Sequence, residues 1–186
     1  MLFLVMSEKY KFRDVEGIYF VSPTIIHWID LFTRKEFKHI VVDSLIYCQK
    51  EKGLVIHAWV IMPSHLHLII STNKDALEDI MRDFKKHVSK SVIKKLDFIN
   101  ESRKEWLLRA FSKAAVRIKR NTNYKVLQDG KQPKQLESNK FMQEKLDYIH
   151  NNPVESELVD EPEHYIYSSA RDYAGMNGLL KVDLID

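Results

Sequence analysis

The sequence predicts an α+β fold: a βαββαβ antiparallel sheet with helices on one face and additional C-terminal helices. Three observations carry that prediction. LVIHAWVIM (54–62) and HLHLIIS (65–71) are apolar, β-branched runs joined through Pro63-Ser64, the pattern of an antiparallel hairpin. Apolar residues at helical spacing follow capping signals before and after that hairpin. A strand-like run precedes the first helical stripe, and a shorter one follows the last basic helical stretch, which gives the alternation its order.

Taken in order, GIYFVSPTIIH (17–27) is aromatic and β-branched, a strand with an edge, bulge or break at Pro23. Thr33 and Glu36 form a capping-box pattern ahead of a stripe at Phe37, Ile40, Val41, Leu45 and Cys48, and Gly53 is placed to end that helix. After the hairpin, Asp75 and Glu78 cap a helix with its stripe at Leu77, Ile80, Met81, Phe84, Val88 and Val92. A further basic helical stretch, about 101–120, turns Trp106, Leu107, Ala110, Phe111 and Ala114 toward the core. NYKVLQ (123–128) reads as a short strand before a turn at Asp129-Gly130. A helix then runs from Ser138-Asn139 to about Asn151, and NPVESELV (152–159) starts a new helical turn with Asn152 as cap and Pro153 in first position. This is the ferredoxin-like order, in which the first and third strands lie centrally.

At 186 residues the chain is long enough for one compact domain and short for two. The expectation is a single domain over 1–186, its core about 17–152 and a C-terminal extension about 153–186. MLFLVMSEKYKF has six apolar residues before charge appears, too short for a membrane span and without signal-peptide features. One cysteine, Cys48, rules out an internal disulfide framework; both point to a cytoplasmic protein with no membrane partner. Net charge is only +3, but residues 82–125 carry fourteen Lys/Arg against four Asp/Glu, while residues 137–186 are acidic. A polyanion can dock on the basic middle; solvated helix faces are the alternative.

In MPSHLHLII (62–70) two histidines flank one leucine inside an apolar run. Side chains alternate along a strand, so His65 and His67 share a face at a spacing of about 6.5–7 Å, close enough to grip one cation. Imidazole is a common ligand for divalent transition metals, and two of them leave positions open for substrate. With eight histidines in the chain, an accident of composition is the competing reading; His57 and His27 read as hydrogen-bonded strand histidines. In KLDYIHNNPV (145–154), Tyr148 and Asn152 are one turn apart on a shared face, with Lys145 and Phe141 above them. A tyrosine there suits nucleophilic attack on a phosphodiester; the ordinary alternative is a boundary tyrosine with its hydroxyl in water. A phenol with an unperturbed pKa of about 10 needs help from a metal or a neighbouring lysine.

WVIMPSHLHLII (59–70), KLDYIHNNPV and EPEHYIYSSARDYAG (161–175), in this order, resemble the REP-associated tyrosine transposases, relatives of the insertion-sequence transposases that move single-stranded DNA. The resemblance runs from about Gly17 to Gly175. It implies that His65 and His67 bind a divalent ion, Mg²⁺ or Mn²⁺, with Asn152 completing the coordination; because Asn152 directly precedes Pro153, His150 is the alternative third ligand. It implies Tyr148 as nucleophile, a 5′-phosphotyrosine intermediate and a free 3′-OH. The substrate it implies is single-stranded DNA that forms hairpins from palindromic repeats, and the setting the bacterial nucleoid; a homodimer is one possible assembly. Lys85, Lys86, Arg117, Lys119 and Arg120 are the expected contacts to the DNA backbone. A non-catalytic hairpin-binding regulator is the rival function, and a water-using metal phosphohydrolase the third.

Overall fold

The structure, a computed structural model, describes residues 12, 14–116, 123–128 and 132–185. Four strands form one sheet: β1 (Tyr19–Val21), β2 (Leu54–Ile61), β3 (Leu66–Thr72) and β4 (Lys134–Gln135), in the order β2-β3-β1-β4 with every pair antiparallel. β1 and β3 are therefore central, as the element order predicts. Among the described residues, five α-helices accompany them: α1 (Lys35–Lys52), α2 (Leu77–Leu96), α3 (Lys104–Val116), α4 (Asn139–Glu155) and the short α5 (Ala170–Tyr173).

Local chemistry explains several boundaries. Gly53 ends α1 in the left-handed region at φ 73°, its N–H donating to the carbonyl of Cys48. The Ser138 hydroxyl caps α4 by accepting from the N–H of Phe141 at 3.2 Å. The expected antiparallel hairpin forms, with Val60 opposite His67 and Ile61 opposite Leu66. A bulge at His57 breaks its regularity; that ring bonds the Ser71 hydroxyl at 2.8 Å and the Asp183 carbonyl at 3.0 Å.

Several expectations are corrected. The first strand is three residues long, because Pro23 hands the chain to a 3₁₀ turn, Ile26–Trp28, that leaves His27 exposed and outside any strand. The Thr33–Glu36 capping box does not form: the Thr33 hydroxyl donates to Asp30 and Arg34 precedes the helix. Nor does Asp75 cap α2; Ala76 takes that position, and the Asp75 carbonyl accepts from the Thr72 hydroxyl. Trp106 is 54% exposed, since the buried stripe of α3 runs Leu107, Phe111, Ala115 and turns the neighbouring position outward. Residues 123–128 make only an isolated bridge, Leu127 to Ile25, and the fourth strand is Lys134–Gln135 instead. The expected turn at Asp129-Gly130 lies outside the described residues.

The most consequential correction concerns α4, which runs unbroken through Pro153 to Glu155. A proline in a helix interior costs about 3 kcal/mol through its missing N–H and its clash one turn back. Here it falls in the last turn, and both Asn152 and Pro153 are buried, so packing offsets the lost bond. Asn152 is thus a helical residue, one turn beyond Tyr148 on the same face, and not a cap.

The faces of the sheet are distinct. Leu66, Leu68 and Ile70 point to one side and are fully buried; α1 packs on β2 and against α2. His65, His67 and Ile69 share the other side with Phe20, and α4 packs on β2 and β3 there. The free edge of β2 is closed by the C-terminal segment. Ile61 N–H donates to the Tyr167 carbonyl, Ser169 N–H to Trp59, Tyr165 hydroxyl to Ile61 and Asp183 N–H to Ile56. The EPEHYIYSSARDYAG stretch is therefore an edge strap, and it buries the Tyr165 phenol, whose pKa is pushed up to about 12.

Candidate active site: two imidazoles and a phenol

Each side chain of the site is placed by a different element. β3 is a central strand with Ile69 and Ile70 fully buried, which fixes the neighbouring His67 in position and direction. α4 is held by Leu146, Ile149 and Pro153 on its buried side. Tyr148 stands at the border of that side, 41% exposed, and reaches back over the sheet. Its hydroxyl comes to 3.3 Å from Nε2 of His67. The rings of His65 and His67 are 4.6 Å apart, and that of Tyr148 is 5.0 Å from His67.

Two serines complete the arrangement. Ser22, just after β1, sets its Oγ at 2.8 Å from Nδ1 of His67, and Ser64 in the hairpin turn sets its own at 3.1 Å from Nδ1 of His65. The tautomer protonated at Nδ1 donates to each hydroxyl and directs the Nε2 lone pair into the site. This is the outer-shell pattern of metal-binding histidines. Burial lowers the pKa of His65, which favours the neutral imidazole a metal requires. The donor set therefore fits a divalent transition ion: two imidazole nitrogens, with the Asn152 amide one turn beyond Tyr148 and only 8% exposed. Among the described residues, no group of three or more His, Cys, Asp or Glu is arranged to hold a metal.

Aromatic packing steadies the cluster. Phe20 of β1 stacks on His67 at 5.4 Å and meets Tyr148 edge-on at 6.2 Å. The Lys145 ammonium lies over the rings of Phe20, Phe141 and Tyr148 at 5.3–5.4 Å, a cation held beside the phenol. The Trp28 ring meets that of His65 edge-on, centroids 5.5 Å apart.

The structure thus brings His65, His67 and Tyr148 together, with Asn152 on the adjoining turn. His150 is directed elsewhere. Two residues after Tyr148 it lies on the opposite side of α4, where its Nε2 meets the Ser169 hydroxyl at 2.9 Å and its ring packs on Tyr173. Burial lowers its pKa to about 4. It serves the edge strap and is no alternative ligand at this site. Lys85 and Lys86 stand on α2, whose main helical partner is α1, away from the cluster; Lys86 is exposed and Lys85 half-buried. Arg117, Lys119 and Arg120 lie outside the described residues. Sequence reading missed Ser22, Phe20 and Trp28. An alternation argument on β1, placing Phe20 and His67 on one face, would have found the second.

Fold and site together define a class: a ferredoxin-like sheet whose central strand presents a His-hydrophobic-His pair to a tyrosine on a late helix. No protein-family model matches the chain, and no curated protein matches it in sequence. Among solved structures, a REP-associated tyrosine transposase bound to a REP hairpin matches with a TM-score of 0.59 at 20% identity, over 97% of this chain and 94% of that one. The chain shares the fold of that transposase. Among the described residues, no helix is long and apolar enough to cross a membrane.

Proposed function

We propose that this chain is a metal-dependent single-strand DNA endonuclease and strand transferase acting on hairpin-forming DNA, with Tyr148 as its nucleophile. One observation carries the reading: the phenol hydroxyl stands 3.3 Å from a histidine whose other nitrogen is fixed by a serine. Its setting, the fold of a transposase solved on its hairpin, supports the choice of substrate.

In this reading His65 and His67, with Asn152, hold Mg²⁺ or Mn²⁺. When bound, the ion neutralises and polarises the scissile phosphate. Ser22 and Ser64 keep both imidazoles in the ligating tautomer and orientation. Lys145 adds positive charge beside the phenol, where a phosphate oxygen arrives. The Tyr148 oxygen forms a bond to phosphorus while the bond to the 3′ oxygen breaks. The electron pair goes to that oxygen, and the phenolic proton is exchanged through solvent for one on the departing hydroxyl. The products are a 5′-phosphotyrosine ester and a free 3′-OH, and the reverse step rejoins strands without a nucleotide cofactor.

In this reading one chain supplies both the tyrosine and the histidines. We take residues 1–186 as a single catalytic domain working in the cytoplasm on nucleoid DNA. Lys85, Lys86, Arg117, Lys119 and Arg120 remain the proposed backbone contacts, and binding through them weakens steeply with salt.

The test incubates the protein with Mn²⁺ and labelled DNA hairpins carrying randomised single-stranded flanks, then resolves covalent adducts under denaturing conditions. The expected result is a protein–DNA adduct that Tyr148→Phe abolishes. An adduct of equal yield in Tyr148→Phe overturns the nucleophile, and a parent protein that binds hairpins without any adduct leaves the non-catalytic regulator.

A further inference from the structure

Beside the imidazole pair the chain makes an unusual turn. His27 and Trp28 both take positive φ, 54° and 56°, in succession. For a bulky residue such as tryptophan this conformation is strained, and it persists only where the surroundings dictate it. They do so here. The N–H of Ile25 donates to the Ser64 carbonyl at 2.9 Å, that of Ile26 to Val126 at 2.9 Å, and that of Phe32 to Pro63 at 2.8 Å. Ile25, Ile26, Leu31 and Phe32 are buried on either side. The turn is therefore tied to the hairpin that carries His65, and its tip is forced outward. Trp28 emerges 57% exposed with its ring 5.5 Å from His65.

A large aromatic surface held rigidly in solvent beside a phosphate-handling site has one obvious use. We propose that Trp28 is the stacking platform for the nucleobase on the 5′ side of the bond that Tyr148 attacks. Aromatic side chains take single-stranded bases in this way irrespective of sequence, since every base has a π-face. The polarity follows from the order of rings and rests on the Tyr148 reading. Tyr148 touches His67, and Trp28 touches His65, so the two bracket the imidazole pair. In-line displacement sends the leaving oxygen away from the nucleophile. That oxygen is the 3′ oxygen of the upstream nucleotide, so the upstream base lies at the Trp28 end. Pre-fixing the turn spares the ordering cost that a flexible tryptophan would meet on binding.

The experiment uses the full chain and DNA hairpins with single-stranded flanks in which 2-aminopurine replaces one base at a time. Binding is expected to quench the probe at the position 5′ of the cut, Trp28→Ala to relieve the quench, and Trp28→Phe to keep part of it. Trp106→Ala, which removes an exposed tryptophan on α3, is expected to change nothing. Affinity for the single-stranded flank should fall about 5- to 150-fold in Trp28→Ala. An abasic site at that position should cause the same loss in the parent, without adding to it in the variant. Thermal melting separates these losses from misfolding. If no probe position depends on Trp28, the platform is overturned; if the dependent position lies 3′ of the cut, the polarity is overturned. Should no hairpin yield an adduct, the cleavage reading fails and takes the polarity with it. The probe scan then still decides stacking by itself.

Discussion

The hydroxyl of Ser22 tests how far the site is built and not merely assembled. It lies 2.8 Å from Nδ1 of a histidine that is only 6% exposed, so solvent is poorly placed to replace it. Ser22→Ala removes the hydrogen-bond partner of His67 Nδ1, which holds the ring at its angle. Outer-shell substitutions of this kind lower metal affinity by about 10- to 100-fold, or about 1.4–2.7 kcal/mol. Ser64→Ala should cost less, because its bond to His65 is longer at 3.1 Å and that imidazole is half-buried. The assay is a calorimetric titration of the full chain with Mn²⁺, comparing parent, Ser22→Ala, Ser64→Ala and His67→Ala. The expected order of affinity is parent, Ser64→Ala, Ser22→Ala, then His67→Ala with none measurable. Unchanged affinity in Ser22→Ala, with His67→Ala abolishing binding, would refute the argument from the serine while leaving the histidine ligands in place. Unchanged affinity in His67→Ala would remove the metal site itself.

Two further expectations concern the scaffold. Glu101, whose side chain is 1% exposed, is held by Arg34 at 2.5 Å and Arg103 at 3.2 Å; burial opposes its ionisation, but the bonds from Arg103 and Arg34 outweigh burial and keep its carboxyl below the usual range. A lowered folded-state pKa means stability that is complete above the ordinary carboxylate range and lost as pH falls through the folded value, so Glu101→Gln should flatten part of the acid limb in a thermal-melt series. At neutral pH the same change should destabilise by about 2 kcal/mol, less than the roughly 3–5 kcal/mol of a fully buried pair because both arginines reach solvent; identical melts would contradict it. Gly53→Ala should lower stability by about 2 kcal/mol or more in denaturant titration, since a left-handed backbone alone costs about 1–2 kcal/mol and the new Cβ would collide with the Asn73 and Lys74 side chains.

How much of this was legible depended on the range of the interactions concerned. The hairpin was readable because LVIHAWVIM and HLHLIIS satisfy strand propensity on their own and a proline-serine pair leaves room only for a tight turn. The Gly53 and Ser138 boundaries were readable because each is set by chemistry within five residues. β4 was not, since Lys134–Gln135 has no strand propensity and pairs only because β1 offers it an edge. The serine and the tryptophan beside the histidines lie 45 and 37 residues away from them in the chain. No local pattern marks such residues; they are chosen by the fold. The same holds for the C-terminal strap, whose stretch carries no strand-length signal of its own and in the structure closes a sheet edge.

The unbroken passage of α4 through Asn152-Pro153 shows why the site depends on packing as much as on ligands. Sequence rules make Pro153 a helix start, which would turn Asn152 out as a cap and release the last turn. In the structure, burial of Asn152 and Pro153 keeps that turn helical, and the helix in turn keeps Tyr148 and Asn152 one above the other. The same helix sets His150 against Ser169 of the strap, and Ser169 bonds Trp59 on β2. The side of α4 away from the site is thus tied to the edge of the sheet, while the side toward it delivers the phenol to the central strand. The phenol, 41% exposed, is steadied by Phe20, His67 and Lys145. Its direction also comes from the helix, and the helix takes its seat from residues outside that cluster, among them Leu146, Ile149 and Pro153.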